Sequence, residues 1–289
     1  MRASCARLLD RSFARPARRR PLHLRFAGCR FVEPGSKGNP LKVGAIILSR
    51  WSSSRFYGKA LATVAGKPLI DHVIDRARRI GRVEDLVLAT STDAADNRIV
   101  DHAVTRGVTV FRGSLDDVSN RVLSCARCRG WTHFARINGD CPFIDPVLID
   151  KAINTLTGSK LDMVTNVLTR SYPYGVSAEV FLTAAMERAY QSMTEPEDFE
   201  HVSRFCYRNP DAFRIHNMVN PAGDWSDVHL TVDKPADVQR LERMVAALDG
   251  PVDSAATNAI VAAYRATATT QPRQVAPRPS RKPAGALSC

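Results

Sequence analysis

The apolar run Val43-Gly-Ala-Ile-Ile-Leu48 decides the fold class of this 289-residue chain. A short, continuous apolar segment of this kind is typical of a strand buried in a parallel sheet. A polar loop, Ser49–Lys59, follows it, and Pro68 then opens a segment that ends at Gly81. Apolar residues recur there at helical spacing, which predicts an amphipathic helix. Strand, loop and helix together form the first part of a βαβ unit.

The same alternation continues downstream. It predicts strands at Leu86–Thr90, Val108–Phe111 and His133–Ile137, and helices over about 94–105, Val118–Arg129 and Pro146–Leu156. We expect Ser114 or Asp116 to cap the second of these helices. From Asp162 the pattern loosens into short strands around Met163, Glu179–Phe181, Arg214–Met218 and His229–Val232. The fold class is therefore α/β, a doubly wound and mainly parallel sheet with an antiparallel edge or a small second lobe.

Charge is distributed unevenly along the chain. The chain has 41 Lys+Arg, 29 Asp+Glu and a formal net charge of +12. Residues 1–42 carry 11 basic and 2 acidic side chains, and residues 251–289 carry 5 and 1, whereas residues 43–250 are nearly neutral. The centre is therefore not a basic nucleic-acid-binding fold, and we expect no nucleic-acid partner. No apolar run approaches the ~18 residues of a spanning helix, so we expect no membrane span and a cytoplasmic location.

These shifts in composition predict three regions. Residues 1–42 form a basic disordered extension, 43–250 the folded domain, and 251–289 a C-terminal helix with a disordered basic tail. The Arg-rich start also fits a mitochondrial transit peptide or a start codon placed too far upstream. Seven scattered cysteines favour a reducing compartment. Cys125 and Cys128 have zinc-like spacing but no second pair, so two helical cysteines explain them better.

The loop Ser49–Lys59 follows the first strand, and ligands of open α/β sheets bind beyond the carboxyl ends of strands. Arg50 and Arg55 can bind phosphate oxygens with two hydrogen bonds each, and Lys59 supplies a point charge. Gly58 lets backbone N–H groups approach an anion. The loop has neither a Walker pattern nor Gly-x-Gly-x-x-Gly. We therefore predict a phosphate site of another type, with a solvated basic loop as the alternative.

Two aspartates occupy other predicted strand ends. Asp140 follows Gly139, and Asp233 ends a later strand. Carboxylates at such positions can bind Mg²⁺. Asp233 can alternatively cap the helix that Pro235 begins, and Asp237 suits the first turn of that helix. Together with the basic loop, the aspartates predict Mg²⁺-assisted transfer from a nucleotide.

Motifs in this order resemble a known family. They are Arg50-x-x-Ser53-x-Arg55-x-x-Gly58-Lys59, Gly66-Lys-Pro68-Leu69, Phe111-Arg-Gly-Ser114, Gly139-Asp140-Cys-Pro142, Tyr172-Pro-x-Gly175, Glu200-His201-Val202 and Thr231-Val-Asp233-x-Pro235. Over about residues 43–248 the chain resembles the cytidylyltransferase family of SpsF-type spore coat polysaccharide biosynthesis proteins and acylneuraminate cytidylyltransferases. The resemblance implies a nucleotide-diphospho-sugar transferase (GT-A-like) fold. It also implies transfer of CMP from CTP to a sugar, such as a nonulosonic acid, with release of pyrophosphate, for surface polysaccharide biosynthesis.

The resemblance also implies roles for individual residues. It assigns Arg50, Ser53, Arg55, Gly58 and Lys59 to the triphosphate, Arg112, Ser114 and Asn138 to the base or ribose, Tyr172, Glu179 and His201 to the sugar, and Asp140 and Asp233 to Mg²⁺. Arg55, Lys59 and Asp140 would be catalytic. Leu48, Ser52, Tyr57 and Tyr174 depart from the family pattern. Related enzymes are often dimers, so a homodimer is compatible with the resemblance.

Two other functions stay open at this point. A GT-A glycosyltransferase would use a finished nucleotide-sugar and often carries Asp-x-Asp, where this chain has Asn138-Gly139-Asp140. A catalytically idle nucleotide-binding module would use its basic ends to attach to a membrane or to nucleic acid.

Overall fold

The computed structural model describes residues 40–269. The predictions for residues 1–39 and for the tail from residue 270 lie outside the described residues. The strands are β1 (Val43–Leu48), β2 (Thr63–Val64), β3 (Lys67–Pro68), β4 (Asp85–Ser91), β5 (Thr109–Gly113), β6 (His133–Asn138), β7 (Met163–Thr165), β8 (Glu179–Leu182) and β9 (Ile215–Asn217). The α-helices are α1 (Leu69–Ala77), α2 (Asn97–Thr105), α3 (Val118–Arg129), α4 (Pro146–Thr157), α5 (Thr183–Ser192), α6 (Pro196–Glu200), α7 (Arg204–Arg208), α8 (Pro235–Ala246) and α9 (Thr257–Thr269).

Seven strands form one sheet in the order β5-β4-β1-β6-β8-β7-β9. β1 pairs in parallel with β4 and β6, β4 pairs in parallel with β5, and β7 pairs in parallel with β9. β8 is antiparallel to both of its neighbours, β6 and β7. β2 and β3 form a separate antiparallel pair. The predicted α/β class and mainly parallel sheet are confirmed, and the strands after Asp162 extend the main sheet rather than form a second lobe.

The order of the strands places a switch point between β1 and β6. From β1 the chain moves to β4 and β5 on one side, then returns to β6 on the other side. Loops at such a point lead in opposite directions and leave a crevice at the carboxyl ends of the strands. The loops that follow β1 and β6 are those that contain Lys59 and Asp140. The topology therefore brings two predicted site residues to one crevice.

Apolar side chains fix this sheet between its helices. In β1, Ala45, Ile46 and Ile47 are fully buried. The predicted apolar face of α1 is also buried, with Leu69 and Ile74 at 0% exposure. Burial of such aliphatic side chains contributes about 1.5–3 kcal/mol each, so β1 and α1 anchor the loop between them.

Two local predictions were wrong. The cap of α3 is Asp117, whose carboxylate accepts the N–H of Asn120 at 2.7 Å, and not Ser114 or Asp116. The reason is that α3 begins at Val118, which makes Asp117 the residue directly before the helix. The predicted strand His229–Val232 forms only an isolated bridge between His229 and Tyr174. The N–H groups of this segment donate hydrogen bonds to different parts of the chain, so the segment does not pair with a neighbouring strand.

No helix in the described part of the chain could span a membrane. Across residues 40–269, every helix is too short or too polar to cross a bilayer.

Candidate active site

Trp51 is the centre of the loop Ser49–Lys59, which we call the β1 loop. The Trp51 carbonyl accepts the N–H groups of Ser53 and Gly58, each at 3.0 Å. Gly58 has a left-handed backbone, with φ of 71°, and a Cβ there would lie 2.8 Å from the Trp51 ring. Glycine is therefore required on both counts. These contacts fold the loop into a fixed shape.

Asp96 ties the β1 loop to the end of β4, and no sequence motif predicted it. Its Oδ1 accepts the Trp51 N–H at 2.6 Å, and its Oδ2 accepts the Thr90 hydroxyl at 2.7 Å and the Ser91 N–H at 2.9 Å. The Ser91 hydroxyl donates to Oδ2 as well. Burial raises the pKa of Asp96, but these hydrogen bonds outweigh burial and hold the pKa below its usual value. Asp96 is therefore an ionised anchor, and only its place after a strand could have suggested it.

Three predicted residues from separate parts of the chain meet beyond β1 and β6. The Lys59 ammonium lies 2.7 Å from Asp140 Oδ2 and 3.3 Å from Asp233 Oδ1, and it donates to the Val232 carbonyl at 3.0 Å. Arg55 lies 2.8 Å from the same Asp233 oxygen. Two cations thus balance two carboxylates, and we call these four side chains the charge cluster.

The N-cap of α8 is Lys234, not Asp233, and Asp237 in the first turn completes the cap. The Asp237 carboxylate accepts the N–H groups of Asp233 at 2.9 Å and of Lys234 at 2.8 Å. Burial raises the pKa of Asp237, but these two bonds and the charge of Arg240 bring it below its usual value. The capping role considered for Asp233 is therefore wrong. Its carboxylate faces the cations of the charge cluster instead.

The end of β6 presses closely against β1 beside Asp140. Gly139 donates its N–H to the Leu48 carbonyl at 2.8 Å, and a Cβ on Gly139 would lie 2.9 Å from that oxygen. The Cys141 thiol donates to Asp140 Oδ1 at 3.4 Å. Burial, and then the charge of Asp140, raise the pKa of Cys141 well above its usual value, so the thiol keeps its proton. Both oxygens of Asp140 are therefore held in place.

The charge cluster fits a divalent cation. Asp140 and Asp233 already converge on one cationic group, the Lys59 ammonium. Within residues 40–269 there is no group of three or more His, Cys, Asp or Glu side chains arranged to hold a metal. Mg²⁺ is usually bound by one or two carboxylates, with water and substrate phosphates completing its shell. The carboxylates of Asp140 and Asp233 suit such a Mg²⁺ site, which protein and substrate phosphates share.

A cavity of about 220 Å³ opens next to Asp140. Its lining includes Arg136, Asn138, Cys141, Arg170, Glu179 and His201. Glu179 is only 3% exposed; it pairs with Arg136 and accepts hydrogen bonds from Ser203 and, at 2.7 Å, from Tyr207. Burial raises the pKa of Glu179, but the Arg136 charge and these bonds lower it below its usual value. The cavity therefore contains a buried, ionised and fully paired carboxylate.

Comparison with known proteins shows the family of this chain. A sequence model of the cytidylyltransferase family matches residues 44–256. The chain belongs to the cytidylyltransferase family. The resemblance of its motifs is thereby confirmed.

Two relatives and one solved structure illustrate the family. The chain is 27% identical over 207 residues to the spore coat polysaccharide biosynthesis protein SpsF of Bacillus subtilis, covering 69% of this chain and 84% of SpsF. It is 33% identical over 137 residues to the 3-deoxy-manno-octulosonate cytidylyltransferase of Geotalea daltonii, covering 45% of this chain and 51% of that enzyme. The chain thus spans about half the length of that relative. A cytidylyltransferase structure from Leptospira borgpetersenii superposes with a TM-score of 0.75 at 23% identity, covering 80% of this chain and 96% of that one, which shows a shared fold.

The remaining predicted site residues lie in different places. Glu179, His201 and Asn138 line the cavity. Tyr172 does not, because it is 8% exposed and packs in the hydrophobic core. Tyr174, two residues later, lines the cavity in its place. The predicted sugar contact of Tyr172 therefore has no support from the cavity.

Three predicted nucleotide-binding residues are held by other groups of the protein. Arg112 donates to the Ser91 carbonyl at 2.8 Å, to Asn97 Oδ1 at 2.7 Å and to the Asp93 carbonyl at 2.7 Å, and so braces the loop after β4. The Ser114 hydroxyl accepts the Asp117 N–H at 3.0 Å. The Arg50 guanidinium lies 3.4 Å from the carboxylate of Glu200. Their contacts with a nucleotide stay predictions.

Proposed function

We propose that this chain transfers CMP from CTP to a hydroxyl group of a sugar acid, either a nonulosonic acid or a smaller relative such as an octulosonic acid, and releases pyrophosphate for surface polysaccharide biosynthesis. The charge cluster beside the small cavity is the observation that carries the proposal. The names of the two relatives support a sugar acid and a polysaccharide pathway. We place the enzyme in the cytoplasm.

The triphosphate binds to the β1 loop in this proposal. Arg55 and Lys59 exchange the carboxylates of Asp233 and Asp140 for phosphate oxygens, which are the anions that guanidinium and ammonium groups bind best. Arg50, Ser53 and Gly58 add donors from the same loop. Arg112, Ser114 and Asn138 contact the base or ribose.

When Lys59 moves to the phosphates, it frees the two carboxylates that it pairs with. Asp140 and Asp233 would hold Mg²⁺, which would supply positive charge to the phosphate oxygens. Cys141 keeps its hydrogen bond to Asp140 Oδ1 and leaves Oδ2 pointing toward the ligand. The triphosphate brings more negative charge than Lys59 and Arg55 offset, and bound Mg²⁺ would balance part of the remainder.

The acceptor sugar lies in the cavity, in reach of Glu179 and His201. Its hydroxyl oxygen forms a bond to the α-phosphorus and gives up its proton to solvent. At the same time the bond breaks between that phosphorus and the oxygen that bridges the α- and β-phosphates, and this oxygen leaves with pyrophosphate. Lys59 and Arg55 stabilise the charge that grows on the departing pyrophosphate. Such transfers depend mainly on positioning and electrostatics, so the chain needs no covalent nucleophile.

The test compares two matched variants with the wild type, using CTP, Mg²⁺ and a panel of sugar acids. Asp140→Asn removes a charge at the cluster, and Asp101→Asn removes the same charge from an exposed position on α2. We expect pyrophosphate release by the wild type and by Asp101→Asn, and a fall of about 10²–10³-fold for Asp140→Asn. The proposal would be contradicted if the wild type released no pyrophosphate with any acid of the panel, or if Asp140→Asn kept full activity.

A further inference from the structure

Tyr174 forms a wall at the mouth of the cavity, and its backbone is fixed from both sides. Its side chain is 45% exposed and lines the cavity. Before it, Tyr172 is anchored in the core, and the Val176 N–H donates to the Pro173 carbonyl at 3.0 Å. After it, Gly175 has φ of 101°, a conformation that favours glycine. The tight turn holds the Tyr174 Cα in one place.

Hydrogen bonds fasten this turn to the segment that leads to Asp233. The Tyr174 N–H donates to the Val228 carbonyl and the Tyr174 carbonyl accepts the Leu230 N–H, both at 2.7 Å. A Cβ on Gly175 would lie 3.0 Å from the Leu230 carbonyl carbon, so the two backbones have no spare room. The wall therefore cannot retreat without moving the chain that carries Asp233.

The ring of Tyr174 is held as firmly as its backbone. The Arg170 guanidinium lies 4.7 Å from the centre of the ring, and the His229 ring lies 5.4 Å away at an angle of 29°. Arg170 also donates to the Pro173 carbonyl at 3.3 Å, which keeps the guanidinium at the turn. Cation–π contacts of this kind stabilise one orientation of the ring. The wall is preformed.

A side chain that is fixed at the cavity can select among acceptors by excluding those that are too large. The cavity of about 220 Å³ is smaller than the ~300–1,000 Å³ of ordinary small-molecule sites. We propose that Tyr174 is the specificity-determining residue that limits acceptor size, admitting a compact sugar acid and rejecting one with an N-acyl group and a longer side chain. The inference rests on the proposed function. Rejection by a clash needs no new attractive contact, which is a common route to specificity.

The test uses two acceptors that differ in bulk, 3-deoxy-manno-octulosonate and N-acetylneuraminate. Tyr174→Ala removes the wall, Tyr174→Phe keeps the ring, and Leu168→Ala trims an exposed apolar residue outside the cavity lining. We expect the wild type to prefer the smaller acid. Tyr174→Ala should shift the ratio of the two kcat/KM values toward the larger acid by about 10–100-fold. Tyr174→Phe and Leu168→Ala should keep the wild-type ratio.

Two further readouts separate the size effect from other causes. The KM for CTP should stay the same in Tyr174→Ala, since a displaced Asp233 would raise it. Calorimetry with each acid measures binding without turnover. An unchanged ratio in Tyr174→Ala overturns the inference, while pyrophosphate release by the wild type leaves the proposed function standing. If the protein is inactive but calorimetry shows that Tyr174→Ala shifts the binding preference toward the larger acid, the inference is supported and the proposed function is contradicted. Wild type that neither turns over nor binds either acid contradicts both.

Discussion

Replacing Asp96 by asparagine should loosen the β1 loop while leaving the shape of the side chain unchanged. Asp96 uses one oxygen for the Trp51 N–H and the other for Thr90 and Ser91. The asparagine NH₂ group must replace one of these oxygens. It should face Trp51, since that orientation breaks one hydrogen bond and leaves those to Thr90 and Ser91 in place.

The size of the effect follows from the bond that is lost. Hydrogen bonds to charged groups contribute about 1.5–3 kcal/mol, and the bonds to Thr90 and Ser91 also weaken when the charge is removed. We therefore expect Asp96→Asn to lower the free energy of unfolding by about 2–4 kcal/mol. Because the loop loses its anchor at Trp51, the KM for CTP should rise about tenfold, which corresponds to about 1.4 kcal/mol.

Urea unfolding and steady-state kinetics with varied CTP measure the two effects. Asp101→Asn is the matched control, because it removes the same charge from an exposed position on α2. The kinetics are run at a temperature where both variants are folded. If Asp96→Asn unfolds like Asp101→Asn and keeps the wild-type KM for CTP, Asp96 does not position the loop.

Three further predictions concern single side chains. Gly139→Ala places a Cβ 2.9 Å from the Leu48 carbonyl oxygen, so it should destabilise the protein by about 1–3 kcal/mol and lower kcat; wild-type kcat would contradict the close approach. Cys141→Ala should lower kcat/KM by about 3–10-fold and Cys141→Ser should restore it, whereas equal activity of both variants would show that the thiol does not orient its neighbour. Burial raises the pKa of Asp162, but hydrogen bonds from Arg214 and Arg188 lower it to about 2, so its contribution is complete above about pH 4 and is lost as pH falls toward 2. As pH falls through that range, the free energy of unfolding of Asp162→Asn should therefore decrease less than that of the wild type. An equal decrease in both proteins, measured by urea unfolding, would argue against this ion pair.

The sequence predicted the parallel sheet because its strands are buried apolar runs with helices between them. Val43–Leu48 matches β1 residue for residue, and the predicted face of α1 is buried. Lys59 and Asp140 meet because their strands are neighbours at the switch point. Physical rules about strand ends were sufficient for these residues.

Other features depend on contacts distant in sequence and could not be predicted. Asp96 is an anchor only because Trp51 lies against it, 45 residues away in the chain. Tyr172 and Tyr174 are two tyrosines only two positions apart, which the sequence does not distinguish. Only the turn between them places Tyr172 in the core and Tyr174 at the cavity. The antiparallel extension was predicted, but the place of β8 between β6 and β7 is a property of the whole sheet.

Nucleotide selectivity tests the central claim most directly. Purified protein is incubated with Mg²⁺, a sugar acid and either CTP, ATP, GTP or UTP, and pyrophosphate and CMP-sugar are both measured. The proposed activity predicts that pyrophosphate is released with CTP far faster than with the other nucleotides and that CMP-sugar forms in equal amount. Equal release with all four nucleotides, or consumption rather than formation of CMP-sugar, would contradict it.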